Sequence, residues 1–472
     1  MDKKSTWEKY SESQLNDCYE FCEGYKDFLS RCKTERECVQ SMVKEAKAAG
    51  YKDLDAIINN GGSLKPGDKV YRVNMGKSLV MFSIGSDSIE DGMNILGAHL
   101  DSPRMDVKQN PLYEDGGFAY LDTHYYGGIK KYQWVTLPLA IHGVISKKDG
   151  RTIEINIGEE DSDPVFFVSD LLIHLAQKQM AKKADVVIEG EALDIIVSHR
   201  PIIIKQNEKE KKEESPNESV KKELLKILEE QYDITEDDFV SAELEIVPAG
   251  KARDAGFDKS MILSYGQDDR VCAYTSFRAM LETDVISRTS CCILVDKEEI
   301  GSVGATGMQS KFFENSVAEV LDLLGEYSEL KLKRCLSNCT MLSSDVSSGF
   351  DPTYAGSFDK KNVAYLGCGM VFNKFTGARG KSGSNDANAE YLGMLRKIFD
   401  EDDVSFQTAE LGVVDLGGGG TIAYILALYG MNVIDSGVAV LNMHAPWEAT
   451  SKVDVYEAYR GYKTFLKKAR KI

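Results

Sequence analysis

The sequence predicts an α/β protein in which a mixed, largely parallel sheet is flanked by helices and interrupted by an inserted, β-rich domain. After about residue 242, short apolar runs typical of buried strands alternate with amphipathic helical segments as far as the end of the chain. Such alternation is typical of a parallel sheet with helices on both faces. Residues from about 105 to 240 show hairpin-like strand patterns instead. We therefore predict one discontinuous domain (1–104 and 241–472) and one inserted domain (105–240).

The N-terminal part of the first domain is predicted to open with helices that pack on the sheet. Between about residues 7 and 60, apolar side chains recur at steps of three and four residues, as at Leu15, Tyr19, Cys22 and Tyr25. Three predicted strands follow, at 70–73, 79–84 and 94–98, and turns that contain Gly, Ser and Asp separate them.

The inserted domain is predicted to begin with a β-hairpin. Its strands lie at 134–145 and 151–157, joined through Lys-Lys-Asp-Gly. A helix at about 171–180 and strands at 185–188 and 193–198 are predicted next. The mixed-charge run at 205–214 is predicted to be an exposed loop without a chemical role.

The C-terminal part alternates strands with helices. We predict strands at 291–295, 340–344 and 438–442, and helices at 316–334, at 421–428 and from about 453.

Bulk composition excludes several classes of partner. The net charge of −18 argues against nucleic acid and anionic membranes, because polyanions require a basic surface. No apolar run approaches the roughly 18 to 20 residues that span a bilayer. The polar N-terminus lacks the apolar core of a signal peptide, and the ten cysteines form no Cys-x-x-Cys pair. We expect a cytoplasmic protein with reduced thiols.

Side chains that bind metals follow several predicted strands. In open α/β sheets ligands bind beyond the carboxyl ends of the strands. Imidazole and carboxylate groups suit zinc and similar divalent ions, and two of the six histidines stand at such ends. The candidates at five strand ends are His99 with Asp101, Asp268 with Asp269, Glu298 with Glu299, Asp345, and His444.

Each candidate also has a simpler explanation. A Glu-Glu pair is usually a solvated strand end, Asp345 fits a helix N-cap, and Asp268-Asp269 fits a turn. Their joint occurrence favours a metal site. Because neighbouring side chains of an extended chain point in opposite directions, we expect Glu298 and Glu299 to differ in role, one binding metal and the other handling a proton.

Five segments together resemble the aspartyl aminopeptidase and vacuolar aminopeptidase I family of dinuclear zinc metallopeptidases. The similarity covers almost the whole chain. The segments are Ala98-His-Leu-Asp-Ser-Pro-Arg104, Gln267-Asp-Asp-Arg270, Asp296-Lys-Glu-Glu-Ile-Gly-Ser302, Ser344-Asp-Val-Ser347 and Met443-His-Ala-Pro-Trp-Glu448.

The resemblance implies a role for each candidate. Asp268 bridges two divalent ions, most simply zinc, with cobalt or manganese as alternatives. His99 and Asp345 complete one ion site, and Glu299 and His444 complete the other. Glu298 is the general base, Asp101 holds the far nitrogen of His99, and the Asp268-Asp269 peptide is cis.

The resemblance also implies an assembly. The inserted domain dimerises, and the dimers form a dodecamer with inward-facing active sites. His174 matches a position from which a histidine enters a neighbouring subunit's site; a histidine inside the dimer core is the alternative.

This chain departs from the family pattern where the substrate side chain is chosen. Phe350-Asp-Pro-Thr353 stands where the family has His-Pro-Asn, and the basic segment is rewritten as 374–386. Lys374 and Arg379, with Lys381, are candidates to hold a substrate carboxylate, and solvated loop charges are the alternative. Aspartyl preference therefore does not follow from the resemblance.

The expected function is metal-dependent hydrolysis of the N-terminal peptide bond of peptides with a free N-terminus. Two metals activate a bridging water, and Glu298 acts as general base. The Gly417–Gly420 run fits a wall of the substrate pocket better than a phosphate cradle, because it lacks the Walker lysine. Two alternatives stay open: a related deacylase or glutamyl-type peptidase, and a catalytically inactive self-assembling shell.

Overall fold

The computed structural model describes residues 4–202, 218–284, 287–377 and 379–471. The charged loop predicted at 205–214 lies outside these residues. Contacts divide the chain into two compact units. The first comprises Met1–Ser102, Lys251–Met443 and Trp447–Ile472, and the second comprises Pro103–Gly250 and His444–Pro446.

Eleven α-helices lie within the described ranges. Their bounds are α1 Glu12–Arg31, α2 Glu35–Ala48, α3 Leu54–Asn59, α4 Gln177–Met180, α5 Ser219–Tyr232, α6 Gln267–Glu282, α7 Phe312–Leu323, α8 Glu329–Ser337, α9 Ala389–Glu401, α10 Ala423–Ala427 and α11 Lys452–Lys468. None of them combines the length and the hydrophobicity that a bilayer crossing requires.

Twenty strands lie in the same ranges. Their bounds are β1 Lys52–Asp53, β2 Lys69–Asn74, β3 Ser78–Ser83, β4 Asn94–His99, β5 Arg104–Asp115, β6 Phe118–Tyr126, β7 Leu139–Ser146, β8 Thr152–Ile157, β9 Ile195–Ser198, β10 Ala242–Pro248, β11 Arg253–Ala255, β12 Met261–Ser264, β13 Ser290–Val295, β14 Thr340–Ser344, β15 Ser347–Ser348, β16 Met370–Asn373, β17 Phe406–Ala409, β18 Asn432–Gly437, β19 Ala439–Leu441 and β20 Glu448–Ser451.

The first unit is built on a nine-stranded sheet of order β1-β2-β3-β13-β4-β14-β18-β16-β17. Its central strands β13, β4, β14 and β18 are mutually parallel, whereas β3 and β16 pair with them antiparallel. The mixed, largely parallel sheet predicted from the sequence is confirmed. A smaller sheet of order β11-β12-β20-β19-β15 belongs to the same unit.

Helices cover both faces of the nine-stranded sheet. Successive residues of β13 alternate between two buried clusters: Ile293 belongs to one and Leu294 to the other. Because side chains of a strand alternate between faces, the two clusters lie on opposite sides of the sheet. Helices α1, α2, α6, α9 and α11 contribute to the cluster of Leu294, and α3, α7, α8 and α10 contribute to that of Ile293.

The second unit contains a six-stranded sheet of order β8-β7-β10-β5-β6-β9. All of its neighbouring strands run antiparallel. The hairpin predicted at 134–157 is confirmed as β7 and β8, although β7 begins only at Leu139.

Three helix and strand predictions were wrong. The helix predicted at 316–334 is two helices, because the chain turns between them at Gly325, whose φ is 73°. The helix predicted at 171–180 shrinks to α4, since the apolar side chains of 171–173 and 175 are exposed and have no core to pack on. No strand forms at 185–188, where Val186 is exposed.

Replacing Leu342 by Ala should destabilise the first unit by about 2–5 kcal/mol, because Leu342 is fully buried in β14 and its loss leaves a cavity. The measurement is urea unfolding followed by tryptophan fluorescence. Leu330→Ala on α8 is the matched control: that side chain is 56% exposed, so we expect a change within about 0.5 kcal/mol. Equal effects of the two changes would contradict the burial assigned to β14.

Candidate active site

The metal-binding candidates of the first unit meet at one edge of its large sheet. His99 ends β4, Glu298 and Glu299 follow β13, Asp345 follows β14, and Asp268 lies in the first turn of α6. Strands β13, β4 and β14 are adjacent and parallel. Their carboxyl ends therefore share an edge, and the side chains that follow them come together there.

His99, Asp268 and Asp345 form one group of potential ligands, whose ligand atoms all lie within 4.8 Å of one another. The Nε2 atom of His99 is 3.3 Å from Asp268 Oδ1 and 3.9 Å from Asp345 Oδ1. A tetrahedral zinc with bonds of about 2.0–2.1 Å separates its ligand atoms by about 3.3 Å. One imidazole and two carboxylates at these spacings fit one divalent ion and leave a coordination position for water.

The electrostatics of this group also fit a cation. Burial raises the pKa of Asp345 well above its usual value, and the charges of Asp269 and Asp268 raise it further. Burial lowers the pKa of His99, but hydrogen bonds to Asp101 and Asp268 and the charge of Glu298 outweigh it and raise that pKa well above normal. The site thus holds more negative charge than its own groups neutralise.

Asp101 connects the imidazole to the two glutamates. It is fully buried, its Oδ1 accepts a hydrogen bond from the Glu298 amide (3.1 Å), and its Oδ2 accepts one from the Glu299 amide (3.2 Å). The His99 Nδ1 atom is 3.0 Å from the Asp101 carbonyl oxygen and 3.4 Å from Oδ1. Because a carbonyl only accepts, Nδ1 donates, so the neutral imidazole would present the lone pair of Nε2 to the ligand group.

Glu298 and Glu299 lie on a 3-10 turn rather than on an extended strand, since β13 ends at Val295 and Lys297 adopts a left-handed φ of 68°. The alternation argument for their separate roles therefore does not apply. Both still reach the site: Glu298 Oε2 is 3.9 Å from His99 Nε2, and a Glu299 carboxylate oxygen lies within 4.8 Å of one of Asp268.

Two residues that fix Asp268 were not given a role from the sequence. Glu448 is buried in β20, and its Oε2 accepts a hydrogen bond from the Asp268 amide at 3.0 Å. The Ser102 hydroxyl donates to the Asp268 carbonyl at 2.6 Å. The peptide between Asp268 and Asp269 is cis, as the resemblance implied. The sequence signal for Glu448 was its place at the end of the family-like segment Met443–Glu448.

His444 follows β19 and belongs by its contacts to the second unit. Its φ is 66°, and its Nδ1 is 2.8 Å from the Gly128 carbonyl oxygen of that unit. Nδ1 is therefore the donor, and in this tautomer of the neutral ring Nε2 carries the lone pair that could bind a metal.

The remaining candidates lie on exposed segments. His174 is exposed in the second unit. In the first unit, Lys374 Nζ is 3.6 Å from an Asp386 carboxylate oxygen, and Lys381 Nζ is 3.0 Å from the other. Arg379 is exposed, and its backbone amide donates to the Val414 carbonyl at 2.7 Å.

A family profile and the relatives that are similar in sequence point to the same protein family. The profile described as "Aminopeptidase I zinc metalloprotease (M18)" matches residues 28–466. The chain is 60% identical over 463 residues to the probable M18 family aminopeptidase 1 of Clostridium acetobutylicum, which covers 98% of both proteins. It is 42% identical over 469 residues to the protein of the same description from Thermotoga maritima, covering 99% of both.

Solved structures are similar over the whole chain. The M18 aminopeptidase of Thermotoga maritima superposes with a TM-score of 0.92 at 41% identity, covering 99% of this chain and all of that one. Aminopeptidase I of Clostridium acetobutylicum gives a TM-score of 0.89 at 59% identity, covering 99% of each chain. A structure described as the S. cerevisiae mApe1 dodecamer shares the fold, with a TM-score of 0.73 at 20% identity over 94% of this chain and 96% of that one.

Replacing Asp101 by Asn should weaken zinc binding about 10- to 100-fold, because an amide nitrogen cannot accept the backbone hydrogen bond that now holds Glu298 or Glu299. Competition with a chromogenic chelator measures the affinity. Asp258→Asn is the control: this exposed carboxylate also accepts a backbone bond, from Ser260, but in a turn outside the site. Unchanged zinc affinity in Asp101→Asn would show that the carboxylate does not organise the ligands.

Proposed function

Since this chain belongs to the M18 family of aminopeptidase I zinc metalloproteases, we propose that its candidate site removes N-terminal residues from peptides by means of two divalent ions and a glutamate base. Membership makes the chain an aminopeptidase, a hydrolase of peptide bonds. The number of ions, the roles of the residues, the substrate class and the assembly are the proposed parts.

The two ions are assigned to overlapping ligand sets. His99, Asp268 and Asp345 would hold one, and Asp268, Glu299 and His444 would hold the other, with Asp268 shared. The three carboxylates of these sets would leave two divalent ions with a net positive charge, which would favour the deprotonation of water. When bound, the ions, most simply zinc, with cobalt or manganese as alternatives, polarise the scissile carbonyl and lower the pKa of water toward about 7.

Glu298 is assigned as the general base. The observation that carries this assignment is that Glu298 Oε2 lies 3.9 Å from the ligand nitrogen of His99 while Glu298 belongs to neither ligand set. It takes the proton of the attacking water and returns it to the nitrogen of the leaving amine. Asp101 orients it by holding its backbone amide.

Substrate contacts are assigned to the exposed candidates. The 47% exposed side chain of Lys374 is only loosely paired with Asp386 at 3.6 Å, and such surface pairs contribute little, so Lys374 is free to exchange Asp386 for a substrate carboxylate. Arg379 lies on the same segment. His174, exposed in the second unit, is assigned to the active site of a neighbouring copy.

A homodimer through the second unit accounts for its exposed apolar surface. Eight large apolar side chains between residues 165 and 186 are exposed, and exposed apolar side chains in such number are typical of an interface. A dodecamer built from such dimers is the assembly we propose, in line with the description of the yeast structure. The exposed apolar side chains of the second unit on this segment are Val165, Phe167, Leu171, Leu172, Ile173, Leu175, Met180 and Val186.

The ten free thiols suit a reducing compartment, so we place the enzyme in the cytoplasm.

Glu298→Gln should lower kcat on an unblocked peptide about 10²- to 10⁴-fold, because the amide cannot accept the proton of the attacking water. Zinc content, measured by elemental analysis, should not change, since Glu298 lies outside both ligand sets. Glu326→Gln, which removes a half-exposed carboxylate paired with Lys331, serves as the control and should keep full activity. Normal turnover in Glu298→Gln would remove Glu298 from the role of base.

Chelation should abolish hydrolysis of aminoacyl substrates with free amino groups, and added zinc or cobalt should restore it. A panel with acidic, basic and neutral first residues reads out the preference set by the 374–386 segment. N-acylated versions of the same substrates serve as controls and should not be cleaved. Cleavage of the acylated substrates alone would favour the deacylase alternative, and tight zinc binding without any turnover would favour the inactive shell.

A further inference from the structure

A buried carboxylate outside the ligand group, Asp435, is hydrogen-bonded to the residue that follows the glycine-rich stretch Gly417–Gly420. Asp435 sits in β18 and is 1% exposed. Its Oδ1 accepts a hydrogen bond of 2.6 Å from the hydroxyl of Thr421, the residue that follows the stretch. In register it is paired with Ser343 of β14, two residues before the candidate ligand Asp345.

The position of Asp435 is costly for a carboxyl group. It lies between strand neighbours Ile434 and Ser436, both fully buried, and burial raises its pKa to about 7 although the Thr421 bond lowers it. Its other oxygen, Oδ2, makes no hydrogen bond within the described part of the chain. A buried carboxyl group destabilises the fold unless a hydrogen bond compensates for its lost hydration. The side-chain hydrogen bond that compensates Asp435 comes from Thr421.

The glycine stretch depends on that attachment. Gly417 and Gly418 adopt left-handed φ values of 121° and 82°, and a Cβ built on Gly419 or Gly420 would touch nothing. Without side chains these residues have no packing of their own and little conformational preference. Their position is set by what bonds to them at either end.

Two backbone hydrogen bonds extend the attachment to a second segment. The Gly419 amide donates to the Thr376 carbonyl at 3.2 Å, and the Arg379 amide donates to the Val414 carbonyl at 2.7 Å. The stretch around Thr421 is thereby tied to the 374–386 segment, which carries Lys374 and Arg379.

We propose that Asp435 is a positioning residue that holds the glycine-rich stretch through the Thr421 hydroxyl and, through that stretch, the 374–386 segment of the substrate pocket. The connection between the segments stands on the hydrogen bonds alone. Its consequence for substrate binding rests on the proposed function.

The test separates variants that lose the Thr421–Asp435 bond from variants that keep it. Thr421→Val and Asp435→Leu lose it with little change in volume, whereas Thr421→Ser and Asp435→Asn keep a hydroxyl donor and an oxygen acceptor. The double variant Thr421→Val/Asp435→Leu leaves neither polar group unpaired. Replacing a buried polar pair by apolar groups is often neutral or stabilising, so the double variant should fold at least as stably as the wild type.

Hydrogen–deuterium exchange of the full chain, loaded with zinc, is the first readout. In the variants that lose the bond, amides of 411–421 and of 374–386 should exchange faster, by about tenfold, because local opening no longer breaks the anchoring bond. The variants that keep the bond should exchange like the wild type. Thr283→Val is the control, since it also removes a hydrogen bond donated by a threonine hydroxyl, here from a buried residue just after α6.

Kinetics on unblocked aminoacyl substrates is the second readout. Loss of the bond should raise KM about tenfold and leave kcat within about twofold, as expected when ground-state and transition-state binding weaken together. Unchanged exchange at 374–386 would overturn the proposal, as would Thr421→Ser behaving like Thr421→Val. Faster exchange with an unchanged KM would overturn the link to the substrate. If the wild type shows no aminopeptidase activity, the proposed function fails, and exchange still decides whether Asp435 positions the two segments.

Discussion

Mutual repulsion of carboxylates at the shared end of three parallel strands is the constraint on which this site depends. Asp268, Asp345 and Glu298 approach His99 within 3.3–3.9 Å, and two of these four side chains are almost completely removed from water. The carboxylate oxygens of Asp268 and Asp345 lie within 4.8 Å of one another, and the charge of Asp268 raises the pKa of Asp345. Like charges this close oppose folding unless a cation neutralises them. Relief of this repulsion would add to the affinity of the site for a divalent ion.

Much of the surrounding structure holds these carboxylates in place against that repulsion. Asp101 accepts the amides of Glu298 and Glu299, while Glu448 and Ser102 bond the backbone of Asp268 on either side. These contacts orient the ligands before any ion arrives, which is how residues behind a metal site influence affinity. The residues that make these contacts lie next to the ends of β4, β13 and β20, so the two sheets of the first unit position the candidate ligands.

The segments that we propose to choose the substrate side chain have less structural support than the ligand group. The 374–386 and 411–421 segments contain no helix or strand in their described residues and join one another through two backbone hydrogen bonds. Two side-chain hydrogen bonds attach them to β18: Thr421 donates to Asp435, and Asn385 donates to the Val433 carbonyl. Loops on a fixed scaffold can change specificity without disturbing catalytic groups, which agrees with the departure of this chain from the family pattern in this region.

The sequence by itself determined the fold class, the strand ends that bear the candidate ligands and the family, because hydrophobic periodicity reports burial and local motifs report chemistry. Tertiary structure decided what periodicity does not encode. Glu298 and Glu299 lie on a turn, and the helix predicted at 316–334 is split at Gly325. The Leu171–Leu175 run is not helical, and its apolar side chains are exposed. The contact of Glu448 with Asp268, 180 residues apart, and that of Thr421 with Asp435, 14 residues apart, follow only from strand order and register. A pattern of neighbours along the chain carries no information about which distant strands meet, and that meeting assembles the site.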